Sequence, residues 1–191
     1  MSKPRNVADL VERLSHYTYG ESYRAGLKPA QWSALRYFSS ANRFSKTTSA
    51  LARYQGTTLG ASSQTIGALV DKRLLKRTRD TIDKRRHHLS LTAKATKLID
   101  ADPMRSLVAA AFELEVEERE AIGEGLAKML AHLVRRKGGS VFGYCDDCRF
   151  LRCERRPGGE DSYRCAQADQ ELAAEDLDKV CINYGPPVSV E

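Results

Sequence analysis

The sequence predicts a mainly α-helical fold with one small β-wing: a winged helix-turn-helix flanked by dimerisation helices, plus a cysteine-rich metal-binding tail. Two short helical segments meet at Gly56, a basic hairpin pattern follows the second one directly, and all five cysteines lie beyond residue 144. The expected organisation is an N-terminal dimerisation helix (1–27), the winged unit (28–92), C-terminal dimerisation helices (93–137) and the tail (138–191).

Val7, Leu10, Val11, Leu14 and Tyr17 recur at helical spacing, so Val7 to Tyr19 is expected to form an amphipathic helix. Pro29 suits the first turn of a second helix, which Trp32, Leu35, Tyr37 and Phe38 make largely buried. Ala41 to Lys46 is polar and breaks the pattern. Thr47 or Thr48 can cap the next helix, which carries Leu51, Ala52 and Tyr54 and stops at Gly56. Thr57 and Thr58 open a fourth helix through Leu59, Ile66, Leu69 and Val70. Its first turns are small and polar, so they can approach another surface closely. Leu74 to Arg79 and Arg86 to Leu91 pattern as two short strands around a polar, basic turn. Thr92 caps a further helix containing Ala95, Leu98 and Ile99, and Pro103 resets the chain. Leu107, Val108, Ala111 and Phe112 continue the apolar side. Ile122, Leu126, Met129, Leu130, Leu133 and Val134 then form a strong stripe between acidic Glu115–Glu120 and basic Arg135–Lys137. Gly138, Gly139 and Ser140 are expected to act as a hinge.

The 191 residues are 41% hydrophobic and 29% charged, which suits a folded chain rather than a disordered one. No apolar run is long enough to cross a bilayer. Asp9, Glu12 and Arg13 interrupt the start where a secretory leader would be apolar, so a cytoplasmic location and no membrane partner are expected. The net charge of +6 is uneven: Lys28 to Asp100 holds fifteen Lys and Arg against four Asp and Glu, a local +11 that leaves −5 elsewhere. A basic middle between more acidic ends suits a polyanion partner. A basic hairpin behind a polar helix start narrows that partner to double-stranded DNA. The candidate contacts are Thr58, Ser62, Ser63, Gln64, Thr65, Lys72 and Arg73 on the helix, and Arg79, Lys84, Arg85 and Arg86 on the wing. The apolar terminal helices exceed what one winged unit covers, so a homodimer on a palindromic operator is expected.

In a reducing compartment, clustered cysteines point to metal or redox chemistry. Cys145 and Cys148 share a short turn that can aim two thiolates at one centre, and Cys165 and Cys181 complete a tetrahedral set. Cys153 is left as the spare, or replaces Cys165. Arg149, Arg152, Arg155, Arg156 and Arg164 favour thiolate. Zinc is the generic occupant of four cysteines. The run Cys145-x-x-Cys148-x-Phe150, sixteen residues between Cys148 and Cys165, and then Cys181 after a somewhat longer gap than usual, is similar to the ligand pattern of high-potential iron–sulfur proteins. That resemblance implies a four-iron, four-sulfur cluster as the preferred cofactor, with zinc the alternative.

From Val7 to Lys137 the order of elements resembles the MarR family of bacterial regulators. The resemblance rests on Leu27–Leu35, Ser49–Ala52, Ser63–Ile66 with Leu69, Lys72 and Leu74, and Arg79–Asp80 through Asp83–Arg86 to Leu89–Thr92. It implies a dimer with one winged helix per subunit, a recognition helix at Thr58 to Lys72, an Arg85 that enters the minor groove and an Asp83 that holds the wing. Arg73 stands where the family usually has Gly, Ile82 replaces a polar wing residue, and His87-His88 replaces an apolar strand pair.

The leading expectation is a transcription regulator, repression being the expected sense, whose operator binding follows redox state or metal at the four-cysteine site. The alternative is the same fold responding to a small aromatic or phenolic effector, with zinc only stabilising the tail; Tyr17, Tyr19, Trp32 and Tyr37 are candidate lining residues. A third is an electron-transfer iron–sulfur protein. The sequence shows no nucleophile–base pair, paired-carboxylate motif or phosphate-binding glycine loop, so no enzymatic activity is expected.

Overall fold

The computed structural model describes residues 3–22, 26–79, 87–139, 141–155 and 161–187. Helices α1 (Pro4–Ser22), α2 (Pro29–Ser40), α3 (Thr48–Gln55) and α4 (Leu59–Asp71) precede strands β1 (Leu75–Arg79) and β2 (His87–Leu91). Helices α5 (Ala93–Ile99), α6 (Arg105–Phe112) and α7 (Val116–Arg136) follow. The tail then forms β3 (Leu151–Arg155), β4 (Asp161–Cys165) and β5 (Gln170–Leu172).

Three threonines set the helix starts in the head. Thr47, Thr58 and Thr92 each accept a hydrogen bond at 3.2 Å from the backbone N–H three residues on, which satisfies a donor the helix itself cannot pair. Two left-handed residues set the ends. At Gly56 (φ 61°) the amides of Gly56 and Thr57 turn back to the carbonyls of Arg53 and Ala52; at Arg73 (φ 58°) the amides of Arg73 and Leu74 turn back to Val70 and Leu69. Arg73 therefore adopts the conformation that favours glycine and carries the strain of its Cβ there.

The core lies between α2, α3, α4 and the hairpin. Trp32, Leu35, Tyr37 and Phe38 of α2 pack with Leu51, Ile66, Leu69, Leu75, Leu89 and Ala95. β1 and β2 run antiparallel, from Leu75 opposite Leu91 to Arg79 opposite His87. Arg36 of α2 makes a forked ion pair with Asp102 at 2.6 and 2.9 Å, and Asp102 also accepts from the Met104 amide, which fixes the α5–α6 corner to the core.

The long helices are different. α7 has 21 residues and none is buried. Its stripe of Ile122, Leu126, Met129, Leu130 and Leu133 is exposed, as are Leu10 and Leu14 of α1 and Phe112 of α6. An apolar face this long without a cover among the described residues is what a two-fold dimer would bury. The described residues of the tail do not cover it. The tail docks instead on the end of α2: Val180 donates to the Ser40 carbonyl at 2.7 Å, its own carbonyl accepts from Asn42 at 3.0 Å, and its side chain joins the main core. The expected hinge thus leads into a segment held by the head rather than a free appendage. Among the described residues no helix is long and apolar enough to cross a membrane.

Candidate nucleic-acid interface and cysteine cluster

The face of α4 follows from its spacing. Ser62, Ile66 and Leu69 recur every three to four residues and turn into the core, so Ser63 and Gln64 turn outward beside the exposed cap residue Thr58, with Thr65 half-buried. Ser62 is therefore corrected as a contact: it is fully buried, and its hydroxyl finds no partner among the described residues. Its small side chain lets α4 pack closely. Lys72 and Arg73 are exposed at the other end of α4, Lys72 donating to the Gly26 carbonyl at 2.6 Å. Lys76 and Arg77 join Arg79 as exposed cations on β1; the first two were not singled out from the sequence, although they sit in the strand it predicts. Asp83, Lys84, Arg85 and Arg86 lie outside the described residues, as does Ile82. An exposed polar helix start and exposed cations on the same helix and the following strand can hydrogen-bond groove edges and neutralise phosphates.

Of the aromatic residues considered for an effector pocket, Trp32 and Tyr37 belong to the core and Tyr17 is exposed. Tyr19 borders an open cleft of about 450 Å³ with Ser33, Tyr54, Gln55, Thr57 and Thr65.

In the tail, β3, β4 and β5 form an antiparallel sheet with Cys165 at the end of β4. Cys145 and Cys148 sit on one turn, in which the Cys148 amide bonds the Cys145 carbonyl at 3.1 Å, and Cys181 is bridged to Gly143 through its amide at 2.9 Å. Cys145, Cys165 and Cys181 are buried in one cluster with Leu172, against Phe44, Leu151 and Tyr163. Cys148 is half-buried and Cys153 exposed, opposite Tyr163 in the strand pairing.

Hydrogen-bond donors point at the sulfurs. The Asn183 amide lies 3.3 Å from Cys181 Sγ, the Gly185 amide 3.4 Å from Cys148 Sγ, and the Asn42 carboxamide 4.0 Å from Cys145 Sγ. The bond between the Cys145 and Cys181 thiols, Cys145 donating, pushes Cys145 up and holds Cys181 down to about 6; burial opposes the drop at Cys181. Close packing keeps the loops in place: a Cβ on Gly143 would lie 2.5 Å from the Tyr184 ring, and one on Gly185 2.5 Å from Phe150. Burial pushes the Tyr184 phenol up to about 12, with its bond to Asp147 adding to the rise.

Buried thiols with amide donors fit a thiolate-ligated centre in their chemistry. Their positions do not yet converge: among the described residues no group of three or more His, Cys, Asp or Glu is gathered as a metal site. The arginines expected to favour thiolate are partly engaged elsewhere. Arg164 pairs with Asp169 at 2.5 Å, Arg149 lies over the Phe150 ring, Arg152 bonds backbone carbonyls, and Arg156 lies outside the described residues.

The segment missed from the sequence is 41–46. It reads in the sequence only as a polar break in the helical pattern, yet Ala41, Asn42 and Ser45 are buried, Asn42 and Ser45 in bonds to the tail. Phe44, an aromatic in a polar run, was the available signal; it packs on the cysteine cluster.

No curated protein sequence matches the chain. Among solved structures, the MepR–DNA complex of S. aureus is similar at 25% identity and a TM-score of 0.54, covering 66% of this chain and 97% of that one. A MarR transcriptional regulator from Methanosarcina mazei Go1 has the same fold at 20% identity and a TM-score of 0.58, covering 69% of this chain and 96% of that one. Residues 25–86 match the MarR family profile, which stops well before the first cysteine. The helix-turn-helix and the first wing strand are therefore the part of the chain that is similar to the MarR family.

Proposed function

We propose that this chain is a MarR-type transcription regulator that binds double-stranded DNA as a homodimer, and that its cysteine tail modulates that binding. The observation that carries the DNA part is the outward turn of Ser63 and Gln64 at the start of α4, with Lys72 and Arg73 exposed at its end and Lys76, Arg77 and Arg79 exposed on β1, all within the segment that matches the family. The similar S. aureus protein is solved as a DNA complex. The exposed stripes of α1, α6 and α7 support the dimer, which sets two reading heads on successive major grooves. In this arrangement α4 reads base edges, the basic strand holds phosphates, and repression follows by occlusion of the operator.

Modulation is supported by the grouping of Cys145, Cys165 and Cys181 beside half-buried Cys148, and by amides aimed at three of these sulfurs. These four thiolates would hold the centre, with a four-iron cluster preferred and zinc the alternative; Cys153, exposed on β3, is the spare. Such a group would supply a redox- or metal-dependent charge within the tail.

Two measurements test this. Affinity for a palindromic duplex selected from random DNA should fall steeply with salt, and Gln64→Ala should flatten its sequence preference; salt-independent or absent binding sinks the DNA assignment. Anaerobic purification should yield brown protein with iron and sulfide, or colourless protein with one zinc per chain. Protein with neither leaves the tail without a modulating centre.

A further inference from the structure

Asn42 and Ser45 are buried polar residues at the join between tail and reading head, 1% and 0% exposed. We infer that this pair is the coupling element through which the state of the cysteine cluster reaches the DNA-reading surface; the inference rests on the proposal that the tail modulates binding.

The hydrogen bonds form one connected set. The Asn42 carboxamide oxygen accepts from the Ser45 amide at 3.1 Å and from the Ser45 hydroxyl at 2.7 Å. A backbone N–H can only donate, so this oxygen must face Ser45 and the amide nitrogen must face the other way, toward Cys145 Sγ. The Ser45 hydroxyl accepts from the Ile182 amide at 2.8 Å, one residue beyond Cys181. With the Asn42 amide on the Val180 carbonyl, the tail thus grips the pair at three points, each at or next to a cysteine.

The pair is also tied to the head. The Tyr37 hydroxyl donates to the Ser45 carbonyl at 2.7 Å. The next carbonyl, that of Lys46, accepts from the Leu89 amide of β2 at 2.9 Å, and Thr47 caps α3. One turn, 42–47, therefore joins the cysteines to a wing strand and to the first helix of the helix-turn-helix. Arg43 clasps its outer side, donating to the Glu171 carbonyl and lying 4.0 Å from Asp176.

The physical consequence follows from burial. A solvated turn would trade a lost partner for water, whereas a buried carboxamide has no substitute. A sulfur that becomes more negative, or moves to ligate a metal, changes what the Asn42 nitrogen donates to. The oxygen then turns relative to Ser45, and the turn moves with it. Asn42 and Ser45 are positioning residues and touch no DNA in this scheme. Spatial continuity is the warrant offered; measured coupling decides it.

The test uses the full-length dimer and the selected palindromic duplex. Operator affinity is measured for anaerobically purified protein and for the same protein stripped with ferricyanide and EDTA. Wild type should differ by about tenfold between the two states, and Ser45→Ala and Asn42→Ala should reduce that ratio to about twofold or less. Arg43→Ala, at an exposed position that leaves the buried bonds intact, should lower it partway and covers the event that the core variants do not fold. Amide exchange supplies the second readout. The Leu89 and Ala50 amides should respond to stripping in wild type but not in Ser45→Ala, while the Asn183 and Gly185 amides respond in both. If wild type shows the ratio and all three variants keep it, the coupling role is wrong and modulation stands. If wild type shows no ratio, modulation itself is wrong and the coupling falls with it.

Discussion

The reading head and the cysteine tail solve the same problem with different materials. The head closes around Trp32, Leu35, Phe38, Leu51, Ile66 and Leu69, large apolar side chains that are fully or almost fully buried. The tail closes around three cysteines and Leu172, with only partly buried aromatics around them. Burial of apolar area is enough to hold the first. The second has too little, and depends on backbone bonds, on close ring-to-glycine contacts and on its seat against the head. A segment built this way is held by its connections more than by its own interior.

Substitutions can break or sharpen this contrast. Trp32→Ala should have the largest effect, removing about 3–5 kcal/mol from the head in urea unfolding. Gly185→Ala should cost up to about 3 kcal/mol by forcing a Cβ into the Phe150 ring, and should speed proteolysis of the tail while leaving the head's unfolding midpoint nearly in place. Val180→Ala should cost about 2 kcal/mol. Because Val180 sits in the head's core, this loss should appear in the head transition; if it appears in the tail alone, the two are not one cooperative unit. Arg73→Gly should be the smallest change and of opposite sign, raising stability by about 1 kcal/mol by relieving the left-handed backbone, with weaker DNA binding from the lost cation. No gain in the midpoint would mean that Arg73 is not strained.

Much of the head was legible because its signals are local. Threonine caps, Gly56, the apolar spacing of α4 and the basic hairpin each act within a few residues, and the helices and strands fall where those signals put them. The exception within α4 was Ser62, whose chemistry suits a groove but whose phase, in step with Ile66 and Leu69, sends it inward. Residues 41–46 were harder to interpret because what buries them lies far along the chain. Asn42 and Ser45 look like connector residues until Val180 and Ile182 arrive, and no local pattern encodes that meeting. The cysteines were legible as a group through their spacing. Their donors, Asn42, Asn183 and Gly185, were not, since backbone amides carry no signature in a sequence.

The bond from Ile182 to Ser45 spans 137 residues. During synthesis the head's helices and hairpin emerge well before the tail, and the core they enclose lacks Val180 until synthesis has passed the first four cysteines. Long-range closure of this kind is slow and comes last in folding. A chain ended before Val180 would therefore carry the candidate DNA contacts on a head with an open seam. Closure of that seam marks a chain synthesised past Val180.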